Sequence, residues 1–151
     1  MQQHLSLIIS IVLICSIAGG VGIGMLLAQK APWIHKQRVV IKPSTVSGRG
    51  AFALQKIRSG DIIERCPALE VTDKDIGGEL LNYVFYGNTE QDRLVAMGNG
   101  MLFNHSSTPN VAYYRENTSL GPELVLYALR DIGKGEELFY SYGDEWWSTR
   151  R

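Results

Sequence analysis

The sequence predicts a mostly β domain of short strands preceded by one transmembrane helix. Three features carry that expectation. An uncharged apolar run occupies the first part of the 151-residue chain. β-Branched and aromatic pieces divided by Gly, Pro, Asn and Ser turns follow it. The second part shows almost no helical periodicity and no internal repeat.

The apolar run extends from Leu5 to Ala28 without a charged residue. As a helix it would span roughly 36 Å at about 1.5 Å per residue, against a hydrocarbon core of ~30 Å. A cleaved signal peptide is the rival reading, with Ser16-Ile17-Ala18 as a cleavage site. No Lys or Arg precedes the run, however, and it is longer than a signal peptide's apolar core of about 7 to 15 residues. Residues 1–29 are therefore expected to form a signal anchor, 30–37 a basic juxtamembrane linker and 38–151 the folded domain.

Within the domain, strands are expected at Arg38 to Lys42, Ala51 to Leu54, Asp61 to Arg65, Leu80 to Tyr86 and Leu94 to Met97. Three more follow at Val111 to Arg115, Glu123 to Leu129 and Glu137 to Tyr142. A short helix is expected near Asp73 to Leu81.

Fifteen cations balance fifteen acids, but the two are segregated. Lys30, Lys36, Arg38, Lys42, Arg49, Lys56 and Arg58 fall in a stretch with no acid, and all the acids come later. Cations just after a span stay on the cytoplasmic side, so the domain is expected in the cytoplasm with the amino terminus outside. From Ser59 to Thr149, six cations face the fifteen acids, a net of minus nine. A solvated acidic surface would suffice to explain this; a sharper reading is a domain that attracts a basic peptide and repels nucleic acid. Cys15 lies in the apolar run and Cys66 in the domain, which leaves neither a disulfide framework nor a zinc cluster. Gly20 and Gly24 form a GxxxG in the span, a weak dimerisation signal among several glycines. Asn104-His105-Ser106 and Asn117-Thr118-Ser119 fit the glycan acceptor pattern, and a cytoplasmic domain predicts that neither is used.

Three motifs follow in order: SGRGAFA at Ser47 to Ala53, FNHSSTPN at Phe103 to Asn110, and IGKGEELFYSYGDEWW at Ile132 to Trp147. Each alone is explained by ordinary turns and packing. Together, in this order and spacing, they closely resemble the SET-domain family of protein lysine methyltransferases, over nearly all of the chain after Val39. The compact ending is similar to short single-domain viral and bacterial members.

The resemblance implies a β-clip fold with a C-terminal pseudoknot that sets the second and third motifs side by side. It implies S-adenosylmethionine as cofactor, with Gly48, Arg49 and Gly50 along its methionine part and Asn104 and His105 bonding its amino group and adenine. Glycine suits the first task because a backbone without Cβ can approach a ligand closely. Tyr142 corresponds to the catalytic tyrosine, and Tyr140, two residues earlier on the same strand face, to a position that controls how many methyl groups are added. A tyrosine hydroxyl there is expected to hold a water beside the amine and favour monomethyllysine. Tyr83, Phe85, Tyr86, Trp146 and Trp147 are candidate walls of the lysine channel, with ordinary core packing as the competing explanation for each.

Free lysine has a pKa of about 10.4, so the enzyme must desolvate the ammonium before it can act as a nucleophile. Many family members carry a cysteine where Ser107 stands and a cysteine-rich zinc module beyond the third motif. Channel closure here is expected from Trp146 and Trp147, or from a second subunit in a homodimer. The leading expectation is a membrane-anchored methyltransferase acting on a lysine of a basic, for example histone-like, protein; the alternative is an idle SET-like binding module at a membrane.

Overall fold

The computed structural model describes residues 37–148 apart from residues 88 and 90. The expected anchor at residues 5–28 and the first part of the linker lie outside the described residues. Among the described residues, no helix is long and apolar enough to cross a membrane.

Among the described residues, nine strands and very little helix make up the domain. They are β1 (Val39–Pro43), β2 (Arg49–Ala53), β3 (Ile62–Thr72), β4 (Phe85–Tyr86), β5 (Asp92–Ala96), β6 (Asn104–His105), β7 (Val111–Thr118), β8 (Gly121–Ala128) and β9 (Glu137–Tyr140). Two 3₁₀ turns occupy Gly78–Asn82 and Gly100–Leu102, and one helical turn, α1, occupies Asp144–Ser148. The strands form a four-stranded sheet in the order β1-β2-β9-β6 and a five-stranded sheet in the order β4-β5-β3-β8-β7.

The β1–β2 hairpin turns through Gly48, whose φ of +46° falls in the left-handed region that glycine enters without strain. In the second sheet, β7 and β8 pair in register from Val111–Ala128 to Thr118–Gly121, leaving Ser119 and Leu120 as a two-residue turn. Thr118 closes that turn by donating its hydroxyl to the Gly121 carbonyl at 2.8 Å. The core gathers Phe103, Ile57, Leu94, Leu124, Leu126, Ile132 and Leu138, each at most 1 % exposed.

Strand β9 positions the candidate site residues. It runs antiparallel to β2, with Ala51 opposite Leu138, and parallel to β6, with Asn104 opposite Phe139 and His105 opposite Tyr140. The second and third motifs thus lie side by side, as the expected threaded topology required. A side chain completes this ladder. Asn110, 2 % exposed, donates Nδ2 to the Glu137 carbonyl at 2.8 Å and accepts the Phe139 amide on Oδ1 at 2.8 Å. It fills the place of a strand residue beside β9.

Three expectations are corrected. β3 runs on to Thr72 rather than stopping at Arg65. Pro67, which has no amide hydrogen to donate to a ladder, lies within it. It stands where β3 changes partner, from β8 through Pro67 to β5 from Ala68 onward, and a missing N–H is tolerated there. The strand expected over Leu80 to Tyr86 shrinks to Phe85–Tyr86, because Gly78 takes φ +58° and the chain enters a 3₁₀ turn. Leu80 and Leu81 stay 38 % and 40 % exposed, so their apolar character does not mark a core strand. The helix expected near Asp73 to Leu81 is only that 3₁₀ turn. Before it, Asp75 folds the chain back by accepting the Thr72 amide at 2.8 Å and its hydroxyl at 2.7 Å.

Candidate functional site

Two clefts open on the same part of the domain. The first, of about 570 Å³, is lined by the β1–β2 turn at Val46, Ser47, Gly48 and Arg49, by Met101 to His105, and by Tyr142, Trp146 and Trp147. The second, of about 360 Å³, is walled by Tyr83, Phe85, Tyr86, Tyr113, Tyr140, Tyr142 and Trp146, with Asp73 and Arg93 also on its lining. Asn82, Tyr83, Tyr142 and Trp146 belong to both linings, so the two clefts meet at Tyr142.

Of the residues expected to hold a cofactor, Gly48, Arg49, Asn104 and His105 line the larger cleft. Gly50 lies behind it. A Cβ at Gly50 would stand 2.0 Å from Glu137 Oε1 and 3.0 Å from Asn104 Nδ2, so glycine is needed there for side-chain packing rather than for ligand approach. Asn104 turns its amide nitrogen away from open space. Nδ2 is shared among the Ser47 carbonyl at 3.2 Å, the Arg49 carbonyl at 3.1 Å and Glu137 Oε1 at 3.0 Å. Three acceptors on that atom fix which end of the amide is nitrogen. Its Oδ1 receives no donor among the described residues and remains as an acceptor on a cleft-lining side chain. That is the group an alkylammonium ligand requires.

His105 accepts the Tyr142 amide on Nδ1 at 3.1 Å, which places the ring proton on Nε2. Its ring lies between Tyr142, at 5.3 Å, and Trp147, at 5.0 Å. Imidazole and indole meet edge to face, at 73°, and their ring surfaces give the cleft an aromatic wall against which a heteroaromatic ring can pack.

β9 ends at Tyr140, so the strand expected to run to Tyr142 is shorter and Tyr142 stands two residues beyond it rather than on its face. Its hydroxyl donates to the Phe103 carbonyl at 3.0 Å. Burial, with the nearby Tyr83 phenol adding to it, pushes the Tyr142 hydroxyl above its usual range, so at neutral pH it is a phenol and not a phenolate. Tyr140 is nearly fully buried. Its ring packs between Phe103 at 5.9 Å, Phe85 at 5.7 Å and Tyr113 at 5.3 Å, and its hydroxyl reaches the Gly100 carbonyl at 3.4 Å. Burial raises its ionisation well above that of free tyrosine. Its oxygen therefore donates to the backbone, and its lone pairs are what it has left to offer a water in the channel.

Among the five aromatic wall candidates, Tyr83, Phe85, Tyr86 and Trp146 line the smaller cleft, while Trp147 lies on the larger one only. Phe85 also belongs to the core, at 4 % exposure. Sequence reasoning missed Tyr113, Asn110 and Glu137. Tyr113 sits on β7 with its ring 5.0 Å from Phe85, and the strand's alternation could have pointed to it. Asn110 and Glu137 leave no trace in periodicity, because they act through hydrogen bonds to distant elements.

Arg93 ends the smaller cleft. Its guanidinium pairs with Asp73 at 3.1 Å and lies 5.0 Å over the Tyr86 ring, bracing that ring from the outside.

Comparison with known proteins places this geometry. A SET-domain family model matches residues 48–143, well over half of the chain. A histone-lysine N-methyltransferase of Schizosaccharomyces pombe, specific for lysine 37 of histone H3, is 34 % identical over 111 residues, covering 71 % of this chain and 74 % of its own. An N-lysine methyltransferase of Danio rerio is 32 % identical over 117 residues, and there the match spans only 33 % of the relative's length. A crystal structure of a candidate histone methyltransferase from Plasmodium falciparum superposes with a TM-score of 0.66 at 31 % identity, over 74 % of this chain and 98 % of that one. The order of the three motifs, the parallel pairing of β6 with β9 and these matches lead to one conclusion: the chain belongs to the SET-domain family of protein-lysine methyltransferases.

Proposed function

We propose that the larger cleft takes S-adenosylmethionine, the smaller one a lysine side chain of a basic protein, and that methyl transfer occurs where they meet. The observation that carries this reading is that Tyr142, Tyr83, Asn82 and Trp146 line both clefts. Two reactants entering from opposite sides would be brought together in line, the arrangement a displacement at a methyl carbon needs.

Bound in the larger cleft, the cofactor would supply an electrophilic sulfonium methyl group. Its ammonium would be met by Asn104 Oδ1, and its adenine by the wall of His105 and Trp147. In the smaller cleft, rings of Tyr83, Tyr86 and Tyr113 strip water from the lysine stem, and desolvation lowers the pKa of its ammonium. The proton leaves to water, because Tyr142 is held protonated and is no base at neutral pH. With its own hydrogen engaged by the Phe103 carbonyl, Tyr142 turns its lone pairs outward. They accept an N–H of the amine and so aim the nitrogen lone pair along the channel.

A basic, histone-like substrate agrees with the acidic balance of the chain after Arg58. Membrane anchoring through residues 5–28, with the domain on the cytoplasmic side, is proposed from the apolar run and the basic stretch after it. A second subunit closing the channel belongs to the same proposal. Monomethyllysine is the proposed product: the Tyr140 lone pairs would hold a water in the space a methylated amine needs in order to turn.

The experiment is incubation of the full chain with S-adenosylmethionine and an array of basic peptides, read by mass spectrometry. A gain of one methyl group on lysine is expected. Absence of saturable S-adenosylmethionine binding in direct titration would instead identify an idle binding module.

A further inference from the structure

Resting on the assignment of the larger cleft to the cofactor, we propose that Glu137 is a positioning residue that acts through Asn104 and through the β1–β2 turn. Its carboxylate reaches both ends of that turn. Oε2 accepts the Ser44 hydroxyl at 3.1 Å, and Ser44 Oγ in turn accepts the Val46 amide at 2.9 Å at the start of the turn. Oε1 accepts Asn104 Nδ2 at 3.0 Å, and the same Nδ2 holds the Ser47 and Arg49 carbonyls at the end of it. One side chain on β9 therefore ties down the turn that lines the cleft.

The second effect is on Asn104 itself. An amide between unlike neighbours can turn over, and its two ends are nearly isosteric. Three oxygens on one side, one of them a carboxylate oxygen, hold the nitrogen there and leave Oδ1 as the end offered to a ligand. Without Glu137 the two backbone carbonyls still favour this orientation, but the charge-assisted bond is lost and the turn loses its Ser44 tether. Gly50 supplies the room, since a Cβ there would displace the Glu137 carboxylate.

Glu137→Ala in the full chain is expected to weaken binding of S-adenosylmethionine about tenfold in calorimetric titration, on the scale of one hydrogen bond. Glu137→Gln, whose Oε1 can still accept from Asn104, should recover most of that loss. Ser44→Ala removes only the start of the turn's anchor and should weaken binding by roughly twofold to fivefold with an unchanged melting temperature. The ligand-free readout is solvent exchange of the Asn104 side-chain amide protons by NMR, expected to quicken about tenfold in Glu137→Ala as its charge-assisted bond is lost.

Unchanged cofactor affinity in Glu137→Ala overturns the proposal. So does a fall in affinity that Glu137→Gln fails to restore. Should Glu137→Ala not fold, unchanged affinity in Ser44→Ala overturns it equally. A native chain that binds no cofactor, yet shows quickened Asn104 exchange in Glu137→Ala, would reject the cofactor assignment and leave the positioning of Asn104 standing.

Discussion

The hydroxyl of Tyr142 is the group placed where both clefts meet, and its removal should separate chemistry from binding. Tyr142→Phe is expected to lower turnover on any methylated peptide by about 100-fold, the scale of losing alignment at the reacting atom. Its affinity for S-adenosylmethionine should stay within a few fold, since its hydroxyl bonds the Phe103 carbonyl and makes no bond to Asn104. Comparable turnover in the mutant would remove Tyr142 from this role.

Burial governs two other residues at the same scale. It pushes the Cys66 thiol up to about 12 and Tyr140 well above 10, because both charged forms would sit in the core. Each group is neutral when folded and has a raised pKa, so its stabilising contribution is complete below the unfolded value and is lost as pH rises toward the folded one. The domain is therefore expected to lose stability from about pH 8 upward, where unfolded cysteine begins to ionise, with a further loss above about pH 9 from tyrosine. Chemical denaturation at a series of alkaline pH values checks this, and Tyr140→Phe should flatten the upper part of the curve. Alkylation of Cys66 at pH 8 should require prior unfolding.

At the scale of elements, β7, β8 and the turn before β2 were legible in the sequence, because alternating apolar residues and turn residues mark them locally. Val111 to Arg115 and Glu123 to Leu129 were anticipated nearly as they stand in β7 and β8, and the Gly-rich turn before β2 was read correctly as a turn. The long second half of β3 was not legible, because Pro67 carries a stop signal that only the change of partner strand cancels. Nor was the Asn110 bridge, since an asparagine after Pro109 reads as a loop residue. Asn110→Ala would leave the Phe139 amide without its acceptor and the Glu137 carbonyl without its donor. A cost of about 2 kcal/mol or more is expected, because buried groups left unmet cost about 1–3 kcal/mol each. Equilibrium urea unfolding measures it, and a loss below ~0.5 kcal/mol would show that water replaces the side chain.

For the whole molecule, the candidate site was legible through the motifs, which named Gly48, Arg49, Asn104, His105 and Trp147 on the larger cleft and Tyr142 and Trp146 at the junction. The network behind them was not, since Ser44, Asn104 and Glu137 are 33 to 93 positions apart and meet only through the fold. Orientation at a membrane belongs to this scale as well. A protease added outside sealed vesicles that display their cytoplasmic face should digest the domain, and neither Asn104 nor Asn117 should carry a glycan. Protection of the domain in that assay would reverse the orientation argued from Lys30 to Arg58.

Strand β9 lies inside its sheet, between β2 and β6, and its Glu137 and Tyr140 serve the two clefts. A strand held on both sides cannot open without breaking both ladders, so the smallest fluctuation that dismantles the larger cleft also exposes core residues such as Leu138. Local and global opening are then nearly the same event for this strand. Amide protons of β9 should exchange with solvent only at the rate set by full unfolding, and S-adenosylmethionine should slow that exchange across both sheets rather than at its own contacts alone.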